Sequence, residues 1–118
     1  MKITKEIYSK LNKEQLEKLT SIFQKRLFEN EAHLFYEGQT PVVAYLLVEG
    51  SIILYKSKKS QKLIPPNSVL GAHHLINRLP MQFNAKVTRG TVLYFLDATT
   101  IKELLDQECD HMKQVLAI

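Results

Sequence analysis

Two adjacent histidines, His73 and His74, are the residues whose type best suits metal binding or proton transfer in this 118-residue chain; His33 and His111 are the other two. Neighbours on a helix point about 100° apart, so the pair does not converge on one ion, and no third ligand stands at a metal-site spacing. The expectation is a surface pair on a short helix, with at most a pH-responsive or partner-contacting role. No metal and no other cofactor is expected. Cys109, the single cysteine, excludes an intramolecular disulfide and a CxxC site. Glu108 and Asp110 flank it and oppose a thiolate, so it reads as a helix-packing residue. The one basic run, Lys56-Ser57-Lys58-Lys59-Ser60-Gln61-Lys62, reads as an exposed hairpin tip, and no aromatic residues interleave with it to stack bases. No Ser-His-Asp, paired-carboxylate or phosphate-loop pattern is present, so the chain does not read as an enzyme.

Composition narrows the classes further. With 45% hydrophobic residues the chain can bury a core and does not have the make-up of a disordered segment. Its 16 Lys+Arg and 12 Asp+Glu give +4, but the signs are mixed along the chain, short of a nucleic-acid footprint. No apolar run approaches the ~18 residues a membrane span needs. The charged start, Met1-Lys2-Ile3-Thr4-Lys5-Glu6, has no apolar segment behind it to make a signal peptide. A cytoplasmic protein without membrane attachment is expected.

The elements that must position these residues follow a helix–strand–helix order. Asn12 and Gln15 are spaced as a helix N-cap and its reciprocal partner, and Leu16, Leu19, Ile22 and Phe23 follow on one face. A shorter amphipathic segment, Ile3, Ile7 and Leu11, reads as a helix before it. Seven short β-branched and aromatic runs come next: Arg26–Phe28, His33–Tyr36, Val42–Val48, Ser51–Tyr55, Gln61–Ile64, Phe83–Thr88 and Thr91–Leu96. Gly38, Gly50 and Gly90 fall between them, where chain reversals are needed. Strands this closely spaced leave no room for βαβ crossovers and predict a sandwich, barrel or jelly roll. Thr100 and Glu103 then fit a capping box ahead of an apolar stripe, Ile101, Leu104, Leu105, Met112, Val115 and Leu116. One domain over residues 1–118 is expected: N-terminal helices over 1–23, a β-roll over 24–97 and a C-terminal helix over 98–118.

The segment from Leu34 to Ile52 carries an apolar pair, Leu34-Phe35, then Glu37-Gly38, an apolar strand Ala44–Val48, Gly50 and the strand Ser51–Tyr55. This order resembles the first half of cyclic-nucleotide-binding domains of the catabolite-activator type. Ser68-Val69-Leu70-Gly71 is similar to the opening of that family's phosphate-binding cassette, and Thr91–Asp97 with its capped helix to the family's last strand and the helix after it. The resemblance spans about Leu16 to Leu105 and implies a mainly β fold with flanking helices, a cyclic-nucleotide-binding-type jelly roll.

The same resemblance makes the cassette the candidate site, with Gly71, Ala72, His73, His74, Arg78, Phe83, Asn84 and Ala85 as its positions. The family places a Glu after the opening Gly to hold the ribose hydroxyl. It places an Arg before a small residue and Ala to neutralise the cyclic phosphate, and a short helix between them offers its N–H groups. Here Gly71, the short-helix pattern and Ala85 match, but Ala72 stands in the Glu position and Phe83 in the Arg position. Losing both partners weakens a cyclic nucleotide by on the order of several kcal/mol, about a thousandfold or more. Phe83 would also fill the space that the Arg and phosphate share. A register displaced by one or two residues would bring Arg78 or Lys86 near the site instead.

Binding of cyclic AMP or cyclic GMP in the family's manner is therefore not expected. The first reading is a degenerate, non-enzymatic signalling or regulatory module whose partner is another protein. It would dock through the old ligand face, the cassette helix around His73–Arg78 or the C-terminal helix; a homodimer is compatible with it. The alternative is a sensor of a different small molecule, an altered nucleotide or other anion, held by Asn84, His73 or Arg78 and the N–H groups of Ala72 and His73. No helix-turn-helix pattern follows the roll in these residues, and direct DNA binding is not expected.

Overall fold

The run Val43–Glu49 is apolar at consecutive positions rather than alternate ones, which is the pattern of a strand covered on both faces. In the computed structural model, which describes residues 8–57 and 60–107, this strand sits at the centre of the larger sheet. Tyr45 and Leu47 point into one core and Ala44 and Leu46 into another.

The described elements run β1 (Tyr8–Lys10), α1 (Lys13–Ile22), β2 (Gln24–Leu27), β3 (Ala32–Phe35), β4 (Val43–Glu49), β5 (Ile52–Ser57), β6 (Ser60–Ile64), β7 (Ser68–Leu70), α2 (Ala72–Asn77), β8 (Asn84–Val87), β9 (Val92–Asp97) and α3 (Ala98–Gln107). Antiparallel pairing gives a five-stranded sheet, β1-β7-β4-β9-β2, and a four-stranded one, β3-β8-β5-β6. Between them lies the roll interior, filled by residues including Phe35, Tyr45, Leu54, Leu70, Met81, Phe83 and Leu93. On the other face of the larger sheet the helices bury a second layer, with Leu19, Phe23, Leu46, Leu75, Leu96 and Ile101. The mainly β roll with flanking helices is the fold expected above.

Local chemistry explains the first helix. The Asn12 side-chain oxygen accepts from the Gln15 N–H at 2.8 Å while the Gln15 side chain accepts from the Asn12 N–H at 3.0 Å, the reciprocal cap read from the sequence.

Three expectations need correction. Tyr8–Lys10 is a strand, not part of an N-terminal helix: it pairs Tyr8 with Leu70 and Lys10 with Ser68, so the edge of β7 supplies hydrogen-bond partners that a marginal short helix lacks. β7 itself was not among the expected strands, because three residues carry no period. The last helix starts at Ala98, the expected boundary, but Thr100 is not its cap. Asp97 is its cap, its carboxylate accepting from the Thr100 N–H at 2.9 Å and the Thr100 hydroxyl at 2.8 Å. The rest of the expected C-terminal stripe, from Met112 on, lies outside the described residues, as do Cys109, His111, Ile3 and Ile7.

Candidate functional site: the cassette and its groove

The cassette is built where β7 turns into α2. Gly71 makes that turn at φ +84°, a left-handed conformation that a side chain resists, with a methyl of Met81 packed over it. Helix α2 closes at Arg78, also left-handed at φ +54°, with the Leu79 N–H donating to the His74 carbonyl at 2.9 Å. The chain then returns through Leu79–Phe83 and is pinned to the turn after β3. The Gly38 N–H donates to the Met81 carbonyl at 2.7 Å, and the Met81 N–H to the Gln39 carbonyl at 2.8 Å. Asn84 adds a third tie, its side-chain oxygen accepting from the Glu37 N–H at 2.8 Å.

These ties decide what the cassette positions do. Ala72 belongs to the helix–sheet layer, whereas Phe83 and Ala85 belong to the roll interior. Phe83 is 5% exposed and Met81 1%, so both are core residues. Arg78 is exposed at the end of α2. Lys86 reaches Glu31 at 3.9 Å and lies 5.4 Å from the Tyr55 ring, engaged with the outer side of the smaller sheet. Neither Arg78 nor Lys86, the cations of the displaced-register alternative, lines the groove beside Phe83.

The histidines separate. His73 is partly exposed, but His74 is only 6% exposed, contrary to the expected surface pair. His74 lines the same groove as the returning Leu79–Phe83 segment. The two rings meet edge to face at 5.6 Å. His33 is elsewhere, with Nε2 2.7 Å from the Tyr55 hydroxyl and its ring stacked on Tyr36 at 4.8 Å. Among the described residues, no group of three His, Cys, Asp or Glu side chains is placed to hold a metal ion.

An open groove of about 590 Å³ lies beside the cassette return. His74, Leu79, Met81 and Phe83 form its apolar side, and Glu37 and Lys56 its charged rim. The Lys56 ammonium is 3.7 Å from the Glu37 carboxylate and 5.7 Å from the centre of the Phe83 ring. Of the sequence-derived positions only His74 and Phe83 reach this groove; His73, Arg78 and Asn84 do not line it. Sequence reasoning missed Glu37, Lys56, Leu79 and Met81 as site residues. Glu37 read as part of a turn and Lys56 as one of a solvated run; nothing local marks that they meet.

Two antiparallel sheets, a short helix opened by a left-handed glycine between β7 and β8, and helices on one face define a cyclic-nucleotide-binding-type β-roll. Solved structures carry the same fold. A protein of a cyclic-GMP-dependent signalling pathway that regulates bacterial phytopathogenesis superposes with a TM-score of 0.81 at 18% identity, over 92% of this chain and 90% of that one. The Thermus thermophilus catabolite activator protein matches with 0.69 at 20% identity, over 91% of this chain and 52% of that one. A cyclic nucleotide-binding-like protein from Brucella abortus matches with 0.62 at 24% identity, over 81% of this chain and 86% of that one. No family model and no curated protein matches the sequence.

Proposed function

We propose that the chain is a non-enzymatic regulatory module of the cytoplasm whose roll does not take cyclic AMP or cyclic GMP and which acts through contact with another protein. The observation that carries this reading is Phe83. A residue in the position of the family's phosphate-binding Arg is an apolar ring, 5% exposed and packed in the roll interior with Met81. A cyclic phosphate brought there meets no cation in the Arg position and must displace core side chains, while Ala72 offers no carboxylate to a ribose. The fold shared with regulatory proteins supports the coarser role. No described helix is long and apolar enough to cross a membrane. For the partner contact, the end of the cassette helix offers Leu79, 41% exposed beside the exposed Arg78.

The test is thermal unfolding with and without millimolar cyclic AMP, cyclic GMP and cyclic di-GMP. A ligand at 100 times its Kd adds about 2.7 kcal/mol and moves the midpoint of a domain this size by several degrees. No shift is expected. A dose-dependent rise with any of the three would refute the reading of Ala72 and Phe83.

The groove beside Phe83 favours a second reading, a sensor of a different small molecule. Its volume of about 590 Å³ suits a small ligand, and Glu37 and Lys56 meet at its rim.

A further inference from the structure

We infer that the groove between the Glu37–Gln39 turn and the Leu79–Phe83 segment binds an apolar α-amino acid in its zwitterionic form. This deepens the second reading, that the roll senses a ligand other than a cyclic nucleotide, and rests on it.

Size, lining and charge select that class together. The groove's volume of about 590 Å³ is far more than a trapped water needs and falls within the range of small-ligand sites. Beside His74 and Gln82 its lining is apolar: Phe83 and Met81 are already desolvated, and Leu79, 41% exposed, gains cover when a hydrocarbon side chain settles beside it. The rim carries one carboxylate, Glu37, and one ammonium, Lys56, 3.7 Å apart with side chains 50% and 49% exposed.

Those two charges cancel, and that discriminates between ligands. A phosphate or a simple carboxylate entering the groove meets Glu37, and a simple amine meets Lys56. A zwitterion satisfies both, its ammonium toward Glu37 and its carboxylate toward Lys56, with the α-substituent over Phe83. The exposed Glu37–Lys56 pair adds little stability by itself, so opening it loses little, while two charge-assisted hydrogen bonds form in its place. The turn that carries Glu37 is already held, by Asn84 at the Glu37 N–H and Met81 at the Gly38 N–H, so little ordering remains to be done on binding.

Isothermal titration of the 118-residue chain with L-leucine and L-phenylalanine, beside N-acetyl-L-phenylalanine and L-phenylalaninamide, tests this. Each blocked form lacks one charge. Saturable binding of the free amino acids is expected, weaker by about tenfold or more for each blocked form and for Glu37→Gln or Lys56→Met. Both substitutions are at half-exposed positions, and circular dichroism verifies that the variants stay folded. Absence of binding by either free amino acid overturns the proposal. So does binding of the blocked forms, or by the two variants, at undiminished affinity. A response to cyclic nucleotides refutes the proposed function on its own and leaves this site to its own titration.

Discussion

Met81 closes over Gly71: a side-chain carbon at position 71 would stand 2.7 Å from the methionine's terminal methyl. The residue that opens the cassette and one that ends it are thereby in contact across the return of the chain. Gly50 has a harder neighbour, because a carbon added there would meet the backbone of Thr91 at 2.6 Å. Both glycines have positive φ, +84° and +86°.

Gly71→Ala is therefore expected to cost about 1–2 kcal/mol, the left-handed penalty, since the flexible end of Met81 can swing aside. Gly50→Ala adds overpacking against a rigid backbone and is expected to cost about 2–5 kcal/mol. Urea denaturation of the two variants checks the order. Equal losses would mean that Met81 is as fixed as the Thr91 backbone.

Phe83→Ala is expected to destabilise the fold by about 3–5 kcal/mol and Phe83→Leu by less than about 1.5 kcal/mol, because the ring is core. The same denaturation measurement decides it. Losses below about 0.5 kcal/mol for both would place Phe83 on an open surface.

Asp97 caps α3. The Thr100 N–H bonded to its carboxylate holds its pKa below the ordinary aspartate value, outweighing a smaller opposing effect of burial, with the Thr100 hydroxyl adding to the same side. A lowered folded pKa means the contribution is present above the unfolded value and disappears as pH falls through the folded one. Asp97→Ala is expected to cost about 1 kcal/mol at neutral pH. Asp97→Asn retains most of the cap but removes part of the stability loss on acidification, below the ordinary aspartate range. Midpoints measured from neutral to strongly acidic pH test the sign; solvent screening at this exposed site keeps the charge effect to a few tenths of a kcal/mol.

Tyr45 should titrate above the ordinary tyrosine value. Burial raises its pKa, and its hydroxyl donates to the Leu34 carbonyl at 3.2 Å. The raised folded value means this stabilisation is complete below the unfolded tyrosine pKa and is lost as pH rises through the folded one. Alkaline absorbance titration should show one phenolate fewer in Tyr45→Phe, missing from the part of the curve above the ordinary tyrosine value. Its loss from the earliest part would contradict the burial.

What was legible in the sequence is what short-range forces set. The Asn12–Gln15 cap spans three residues. The chain reversals at Gly38 and Gly50 are dictated by backbone sterics at single positions, and the runs that became β3, β4, β5, β8 and β9 carry enough apolar residues to declare a burial pattern. Where an element is too short for any period, as in β1 and β7, its state came from its partner instead. Tyr8–Lys10 is a strand because Ser68–Leu70 lies beside it with free backbone groups. Asp97 outcompeted Thr100 as a cap for a similar reason: both can cap, and the end of β9 determined which of them stands at the helix start.

The proposed departure from the cyclic-nucleotide cassette rests on Ala72 and Phe83, read residue by residue through the resemblance, because side-chain chemistry is carried by the residue itself. Whether Phe83 would point inward, whether His74 would be buried beside it, and whether Glu37 would meet Lys56 were tertiary matters. Glu37 and Lys56 lie 19 positions apart, and Phe83 a further 27 beyond Lys56, and they meet only after two sheets close on a shared core. Strand spacing limited the chain to a sandwich, barrel or jelly roll, and only the family resemblance pointed to the roll and to a cassette around Gly71–Ala85. Packing alone decided that the cassette return would be filled with Met81 and Phe83, leaving a charged rim beside them, because long-range contact depends on loop closure that no local pattern records.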